Sequence, residues 1–439
     1  MKYFSICPKA FVFVLLALSS LSFKAQDTWV SYTQKIDVSK HIGQKFKFSG
    51  LVRAEIDDEI ACAHLWARVD KAKGFNFIDN MADRPIRNNE WKEYVIEGKI
   101  EEGSTNLFFG AWSELNGKFY YDDLKLELET AKGKWTTVFA ANFEDNKNPL
   151  VDGVEIEKAG EHNPNFTAQI VDTKKTGNTK CLLVTGKNVP NYGCNKETGK
   201  FADVNGIKLY YEIYGQGPPL LIMHGNGGSI AEAANFYPIL MKKYKVIAVD
   251  TRGQGRSTDT DAPLTYEQMA SDMNALLEQL KIDSVFIWGQ SDGAILGLIL
   301  AMDYPKKVKK VIAFGSNIQP DSSAVFGSIL KYFAQSYKTG KDKKQNKLYK
   351  LMLDYPNIPL AKLHSIKAPV LIMAGDRDAI RPEHTLKIFQ NIPNSQMCIF
   401  PGSTHGACWE NEEMFLMILN NFFTKPFTMP DTKSWWSVD

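Results

Sequence analysis

Over residues 26 to about 130, apolar and polar positions alternate in short runs broken by polar turns, with no long helical period. Positions 44–52 alternate with Phe46 and Phe48 on one face, and positions 61–69 place Cys62, His64 and Trp66 together on another. The runs at 91–96, 106–112 and 119–128 follow the same rule. A side-chain period of two marks strands with one face buried, and several of them at this spacing predict a β-sandwich. Strand-type runs continue at 138–145, 168–171 and 180–186, either as the remainder of that sandwich or as half of a degenerate second copy. The Gly- and Asn-rich segment 190–200 reads as a linker, so a β-domain is expected over 26–195.

From Phe201 strand-type and helix-type runs alternate, which predicts an α/β domain with a mainly parallel sheet over 196–426. Positions 201–204 and 207–214, joined by Asn205-Gly206, read as a hairpin. Strands are expected at 219–224, 246–250, 284–290, 308–314, 370–374 and 396–400. Helices are expected at 231–243, 265–280 (capped by Thr265), 294–302, 383–390 and 411–423. The stretch between Phe314 and Val370 is too long for a loop. Helical spacing at 328–337 and 348–354 predicts a small cap at about 318–366. Its lysines Lys338, Lys341, Lys343, Lys344, Lys347 and Lys350 read as a solvated face, with attraction of an anionic substrate as the alternative. The tail 427–439 holds Trp435-Trp436 and fits no element.

Residues 1–25 stand apart. Lys2 and Lys9 precede an apolar run from Phe11 to Leu18, small residues follow, and Ala25 offers a cleavage point. This is the pattern of a secretory signal peptide and predicts export to the periplasm, the cell surface or the medium. No later apolar run is long enough to span a bilayer. Apolar content of 44% and 23% charged residues are those of an ordinary globular chain. Removing the leader takes away three lysines and no acid, so the formal charge falls from +2 to −1, a balance with no nucleic-acid signature. Five cysteines remain; Cys181/Cys194 and Cys398/Cys408 are the nearest pairs for disulfides, and no C-x-x-C spacing suggests a metal.

The chemistry centres on Gly289-Gln290-Ser291-Asp292-Gly293, between an apolar β-run and a helix-type run. That is the pattern of a nucleophile elbow, with Ser291 at the apex of a strained strand-to-helix turn. A serine hydroxyl needs a base, and the imidazole that serves must be oriented by a carboxylate. The expected chain order is serine, acid, histidine. After Ser291 the histidines are His364, His384 and His405. His405 follows the last predicted strand directly, which selects it as base; His364 and His384 read as surface or capping residues. Asp378 is the expected acid, with Asp376 nearer the strand end as the alternative. The developing oxyanion needs backbone N–H donors. Asp292, next to the nucleophile, and Asn226, in His224-Gly225-Asn226-Gly227-Gly228, are the expected pair. His224 is expected to shape its own loop.

Taken together, these motifs resemble the α/β-hydrolase superfamily over residues 201–424. Asp250-Thr251-Arg252-Gly253-Gln254-Gly255-Arg256-Ser257 is similar to the family's loop after the fourth strand, His224-Gly225 to its oxyanion loop, and Gly375 to Asp378 to its acid loop. Within the superfamily, the Asp after the nucleophile resembles valacyclovir hydrolase and related small-cap esterases, whereas a serine apex is unlike the haloalkane dehalogenases. The resemblance implies ester hydrolysis by Ser291, His405 and Asp378 without metal or organic cofactor. A prolyl-type aminopeptidase, and a carbohydrate-binding or adhesion protein with a vestigial hydrolase domain, are the alternatives. Residues 119–128 and the Trp91 strand resemble galactose-binding-like jelly rolls found in carbohydrate-binding modules. That implies a small-molecule or glycan-linked ester as substrate, with Trp66, Trp91, Trp112 and Tyr120 as sugar-stacking candidates or cross-strand packing pairs.

Overall fold

The computed structural model describes residues 28–145, 165–173 and 179–433. The leader segment and Trp435-Trp436 lie outside the described residues. The chain divides into two compact units, with the boundary between Cys194 and Asn195.

The first unit is built from antiparallel strands: β1 (Trp29–Asp37), β2 (Lys45–Ile56), β3 (Cys62–Lys71), β4 (Phe75–Asp79), β5 (Lys92–Lys99), β6 (Ser104–Glu114), β7 (Gly117–Ala131), β8 (Lys134–Ala141), β9 (Phe166–Asp172) and β10 (Lys180–Gly186). One sheet has the order β1-β6-β3-β4; the other runs β5-β2-β7-β10-β9, with β8 also paired to β7. The later strands therefore extend the same sheet and do not start a second copy. Phe46, Phe48, Leu65, Val69, Phe109, Phe119 and Leu182 come from both sheets and share one buried core. On β3 the core takes Ala63, Leu65, Ala67 and Val69, so the period of two turns Cys62, His64, Trp66 and Arg68 to the outer face.

The second unit is a sheet of β11 (Lys200–Val204), β12 (Ile207–Tyr214), β13 (Pro219–Met223), β14 (Lys245–Val249), β15 (Val285–Gln290), β16 (Val308–Phe314), β17 (Val370–Gly375) and β18 (Ser395–Phe400). The spatial order is β11-β12-β14-β13-β15-β16-β17-β18. Pairs from β14 to β18 are parallel, and β11 and β12 form the antiparallel edge hairpin. Its helices are α1 (Tyr237–Leu240), α2 (Tyr266–Gln279), α3 (Asp292–Asp303), α4 (Gly327–Thr339), α5 (Lys343–Asp354), α6 (Leu360–Leu363), α7 (Pro382–Gln390), α8 (Ala407–Glu410) and α9 (Glu412–Thr424). Thr265 caps α2 through a 3.2 Å bond from the Gln268 N–H. The helix α3 is buried along nearly its whole length against the sheet, as the apolar run from Ala294 to Met302 requires. Among the described residues no helix is long and apolar enough to cross a membrane.

One expectation is corrected, and one open question is answered. Positions 231–243 are not one helix: a 3-10 turn (Ile230–Ala233) is followed by the four-residue α1. Pro238, in the first turn of α1, has no N–H for the carbonyl four residues back, so a continuous helix cannot form. Neither disulfide forms; Cys181, Cys194, Cys398 and Cys408 are all unbridged. Cys181 is fixed within β10 and Cys398 within β18, while Cys408 is buried in α8 with its thiol toward Gln290 Oε1 at 3.6 Å.

Candidate functional site

Parallel strands end at one edge, and the loops after β13, β15, β17 and β18 meet there. Ser291 links β15 to α3 with φ 53° and ψ −114°, a conformation that costs a side-chain-bearing residue about 1–3 kcal/mol. The surroundings over-determine it. A Cβ on Gly289 would lie 2.1 Å from Gly293 O, and one on Gly293 would lie 2.2 Å from Met223 O. Only glycines let strand and helix approach this closely. The Ser291 N–H donates to Phe314 O at 2.8 Å and the Gly293 N–H to His224 O at 3.1 Å, tying the elbow to both neighbouring strands. Although Ser291 stands at the N-cap position of α3, its hydroxyl makes no capping bond.

The loop after β18 brings in His405, whose carbonyl accepts from Gln290 Nε2 at 2.9 Å. Its Nδ1 lies 2.6 Å from Asp378 Oδ1. With Nδ1–H donating to the carboxylate, Nε2 carries the lone pair. The Asp378 side chain is fully buried and is oriented by the N–H groups of Ile380, at 2.9 Å to Oδ1, and Gly375, at 3.3 Å to Oδ2. Burial works to raise the Asp378 carboxyl, but the charge and hydrogen bond of His405 and these two donors hold it below its ordinary value. For His405, burial pulls the imidazole down, yet Asp378, Asp292 and Glu232 together raise it above 6.5. Asp376 turns elsewhere and accepts from the Ser403 N–H at 3.2 Å.

Asp292 is buried, and both its oxygens are engaged: Tyr266 Oη donates to Oδ1 at 2.7 Å and Asn226 Nδ2 to Oδ2 at 2.9 Å. Burial nevertheless raises this carboxyl to about 6. Among the described residues, neither the Asn226 nor the Asp292 N–H is taken up by a backbone carbonyl. The Asn226–Asp292 side-chain bond holds the two donor-bearing segments side by side. The loop passes close to the nucleophile: a Cβ on Gly225 would stand 3.4 Å from Ser291 Cβ, in ordinary van der Waals contact. His224 shapes this loop: its Nδ1 contacts Gly225 O at 2.7 Å, and its Nε2 accepts from the Thr251 N–H at 3.0 Å. Burial pulls the His224 imidazole down to about 4, so it is neutral and fit to accept that bond.

Two contributors, Glu232 and Tyr266, escaped the sequence reading, and a third residue was read differently. Glu232 accepts from the Gly225 N–H at 3.2 Å, and burial pushes its carboxyl up to about 8. Its only signal in the sequence is an acid inside a run of small and apolar residues. Tyr266 had none, since a tyrosine opening an amphipathic helix reads as core. His384 is a correction: it is buried, not on the surface, and its Nε2 accepts from the Ile318 N–H at 3.1 Å where the cap begins. His364 does lie at the surface, against Asn391 Oδ1 at 3.2 Å.

The cap is anchored to the acid loop by a bridge between Val325 and Ile380 and by a 2.7 Å bond from the Arg381 N–H to Ala324 O. Lys338, Lys341, Lys343 and Lys350 are exposed, while Lys347 pairs with Asp259 and donates to Thr260 O at 2.7 Å.

Residues 218–344 match the family described as alpha/beta hydrolase fold. A 2-hydroxy-6-oxo-6-phenylhexa-2,4-dienoate hydrolase of Burkholderia cepacia is 26% identical over 277 residues, covering 51% of this chain and 96% of the relative. Serine hydrolase BPHL of Homo sapiens is 29% identical over 261 residues, covering 53% of this chain and 88% of the relative. Among solved structures, the enol-lactonase from Burkholderia xenovorans LB400 is similar at a TM-score of 0.47 and 21% identity, covering 52% of this chain and all of that one. The family match over residues 218–344 and the strand order of the second unit support an α/β-hydrolase fold there, and the relatives support hydrolase activity in this chain.

Proposed function

We propose that this chain is an exported serine hydrolase that cleaves a carboxylic ester through an acyl-enzyme. The reading is carried by the imidazole of His405, held at 2.6 Å by the buried Asp378 and tied through its carbonyl to Gln290, the neighbour of Ser291. Ser291 Oγ attacks the ester carbonyl while His405 Nε2 takes its proton. The tetrahedral oxyanion is met by the N–H groups of Asn226 and Asp292. Collapse expels the alcohol, which receives the proton from His405. Water, deprotonated by the same imidazole, then releases the acid and restores the serine. Asp378 holds the ring in the donating tautomer and stabilises the imidazolium.

The test is turnover of p-nitrophenyl esters of graded acyl length, with organophosphonate labelling of Ser291. Ester turnover and labelling that both vanish in Ser291→Ala are expected; labelling that survives in the variant overturns the assignment. The Burkholderia cepacia relative carries a competing reading, in which the same residues act on a substrate such as 2-hydroxy-6-oxo-6-phenylhexa-2,4-dienoate. Turnover of that compound with kcat/KM above that of every ester would select it. Export is tested by fractionation: the mature chain is expected outside the cytoplasm with its N-terminus near residue 26, and retention of the full leader in the cytoplasm would refute it.

A further inference from the structure

In the first unit, the outer face of the β1-β6-β3-β4 sheet brings three donor side chains together. Cys62 and His64 lie two residues apart on β3, so both project from the same face. Register sets Glu114 of β6 directly opposite Cys62. His64 Nε2 is 3.0 Å and Glu114 Oε2 3.8 Å from Cys62 Sγ. All three donor atoms fall within 4.8 Å of one another. Cys62 forms no disulfide; it and His64 are each only 3% exposed, while Glu114 is half-buried. The ring of His64 is set by Trp112, edge-on at 4.8 Å, and Trp112 is itself stacked on Trp29.

We propose that Cys62, His64 and Glu114 form a zinc site with three protein ligands and a fourth position open on the Glu114 side. The donor set selects the metal. A thiolate with an imidazole suits a borderline-soft ion, whereas Ca2+ and Mg2+ take oxygen ligands. Tetrahedral zinc, with bonds of about 2.3 Å to sulfur and 2.0–2.1 Å to nitrogen and oxygen, places its donors roughly 3.4–3.6 Å apart. The sulfur–nitrogen separation needs to open by about half an ångström and the sulfur–oxygen separation to close slightly, both within side-chain rotation. Zinc entry replaces the Cys62 proton, which leaves to solvent, and thiolate plus carboxylate then balance the two positive charges. Arg87 is the neighbouring cation; it is turned toward Ala61 O at 3.3 Å and Ile60 O at 3.4 Å, and so bounds the site without occupying it.

The experiment titrates zinc into the untagged full chain after chelator stripping, in competition with a chromogenic chelator. One zinc per chain is expected, with affinity lowered about 100-fold or more by Cys62→Ser and at least about 10-fold by His64→Gln or Glu114→Gln. Cobalt substitution gives an independent readout in the parent chain. A thiolate-to-cobalt charge-transfer band, lost in Cys62→Ser, supports the site even where a variant folds poorly. A parent chain that retains no zinc against the competitor, or that binds cobalt without that band, overturns it. Zinc affinity unchanged by all three substitutions also overturns it. Ser291→Ala is expected to leave zinc binding intact, which separates this inference from the hydrolase reading.

Discussion

The two units gather their reactive groups by different geometries. In the α/β unit, parallel strands deliver successive loops to one edge, so residues far apart in sequence meet in the order in which they occur. Loops after β13, β15, β17 and β18 carry Asn226, Ser291, Asp378 and His405 to that edge. In the all-β unit, antiparallel register makes the pairing. Cys62 meets Glu114 only because β3 and β6 align at that residue, and a slip by one would turn one donor to the core face. Order along the chain is readable from sequence; register is not.

The sharpest way to break this contrast is Ser291→Ala, expected to cost about 10⁶-fold in kcat while leaving the all-β unit untouched. Zinc affinity that moved together with turnover would show the two regions to be one functional body. Asp378→Asn is expected to cost about 10⁴-fold, because the ring loses both its tautomer lock and its counter-charge. The pH profile gives the sign. The base works when neutral, so activity falls as pH drops through the His405 value, which Asp378 helps lift above 6.5. In the residual activity of Asp378→Asn the acid limb should therefore move to lower pH. A limb that stays in place would mean that Asp292 carries the shift.

Much of the α/β unit was legible because its motifs carry backbone demands as well as chemistry. Gly289 and Gly293 announce a turn that no larger residue permits, and the serine between them is positioned by that fact alone. What could not be read was support supplied across the fold. Tyr266 reaches Asp292 from a helix packed against the elbow, and Glu232 braces Gly225 from a turn that Pro238 keeps from joining a longer helix. In the all-β unit alternation revealed faces, and it grouped Cys62 with His64, but β1 and β4 went unrecognised and the pairing of β3 with β6 was invisible. Trp112 packs on Trp29 and Trp91 edge-on against Tyr120, a use of aromatics that composition alone leaves undecided.

Stability sharpens the contrast further. Arg252 and Asp272 form a pair at 2.7 Å with 4% and 0% side-chain exposure, and Arg252→Met leaves a buried carboxylate without its counter-charge. A loss of about 3–5 kcal/mol is expected, read by denaturant titration. Hydrogen exchange should place it in strands β11–β18, with the protection of β1–β10 unchanged. Smaller is Tyr266→Phe, which strips one of the two donors from the buried Asp292. About 1–3 kcal/mol of stability should go with it. If Asp292 fixes the oxyanion donors, kcat should fall while KM holds.

The smallest expected effect compares two ion pairs of matched exposure. Arg68–Asp70 lies within one strand of the all-β unit with side chains 27% and 24% exposed, and Lys347–Asp259 joins the cap to the loop after β14 with 27% and 22%. Exposure of this degree limits either pair to below about 1 kcal/mol of stability. Their consequences still differ, because Arg68–Asp70 spans two residues whereas Lys347–Asp259 closes an 88-residue separation and holds α5 beside Asn226. Lys347→Met should therefore raise KM several-fold with little change in melting temperature, and Arg68→Met should change neither. Equal and negligible effects on KM would mean that the cap is held by its apolar contacts and by the Ala324–Arg381 backbone bond, with the lysine adding only charge.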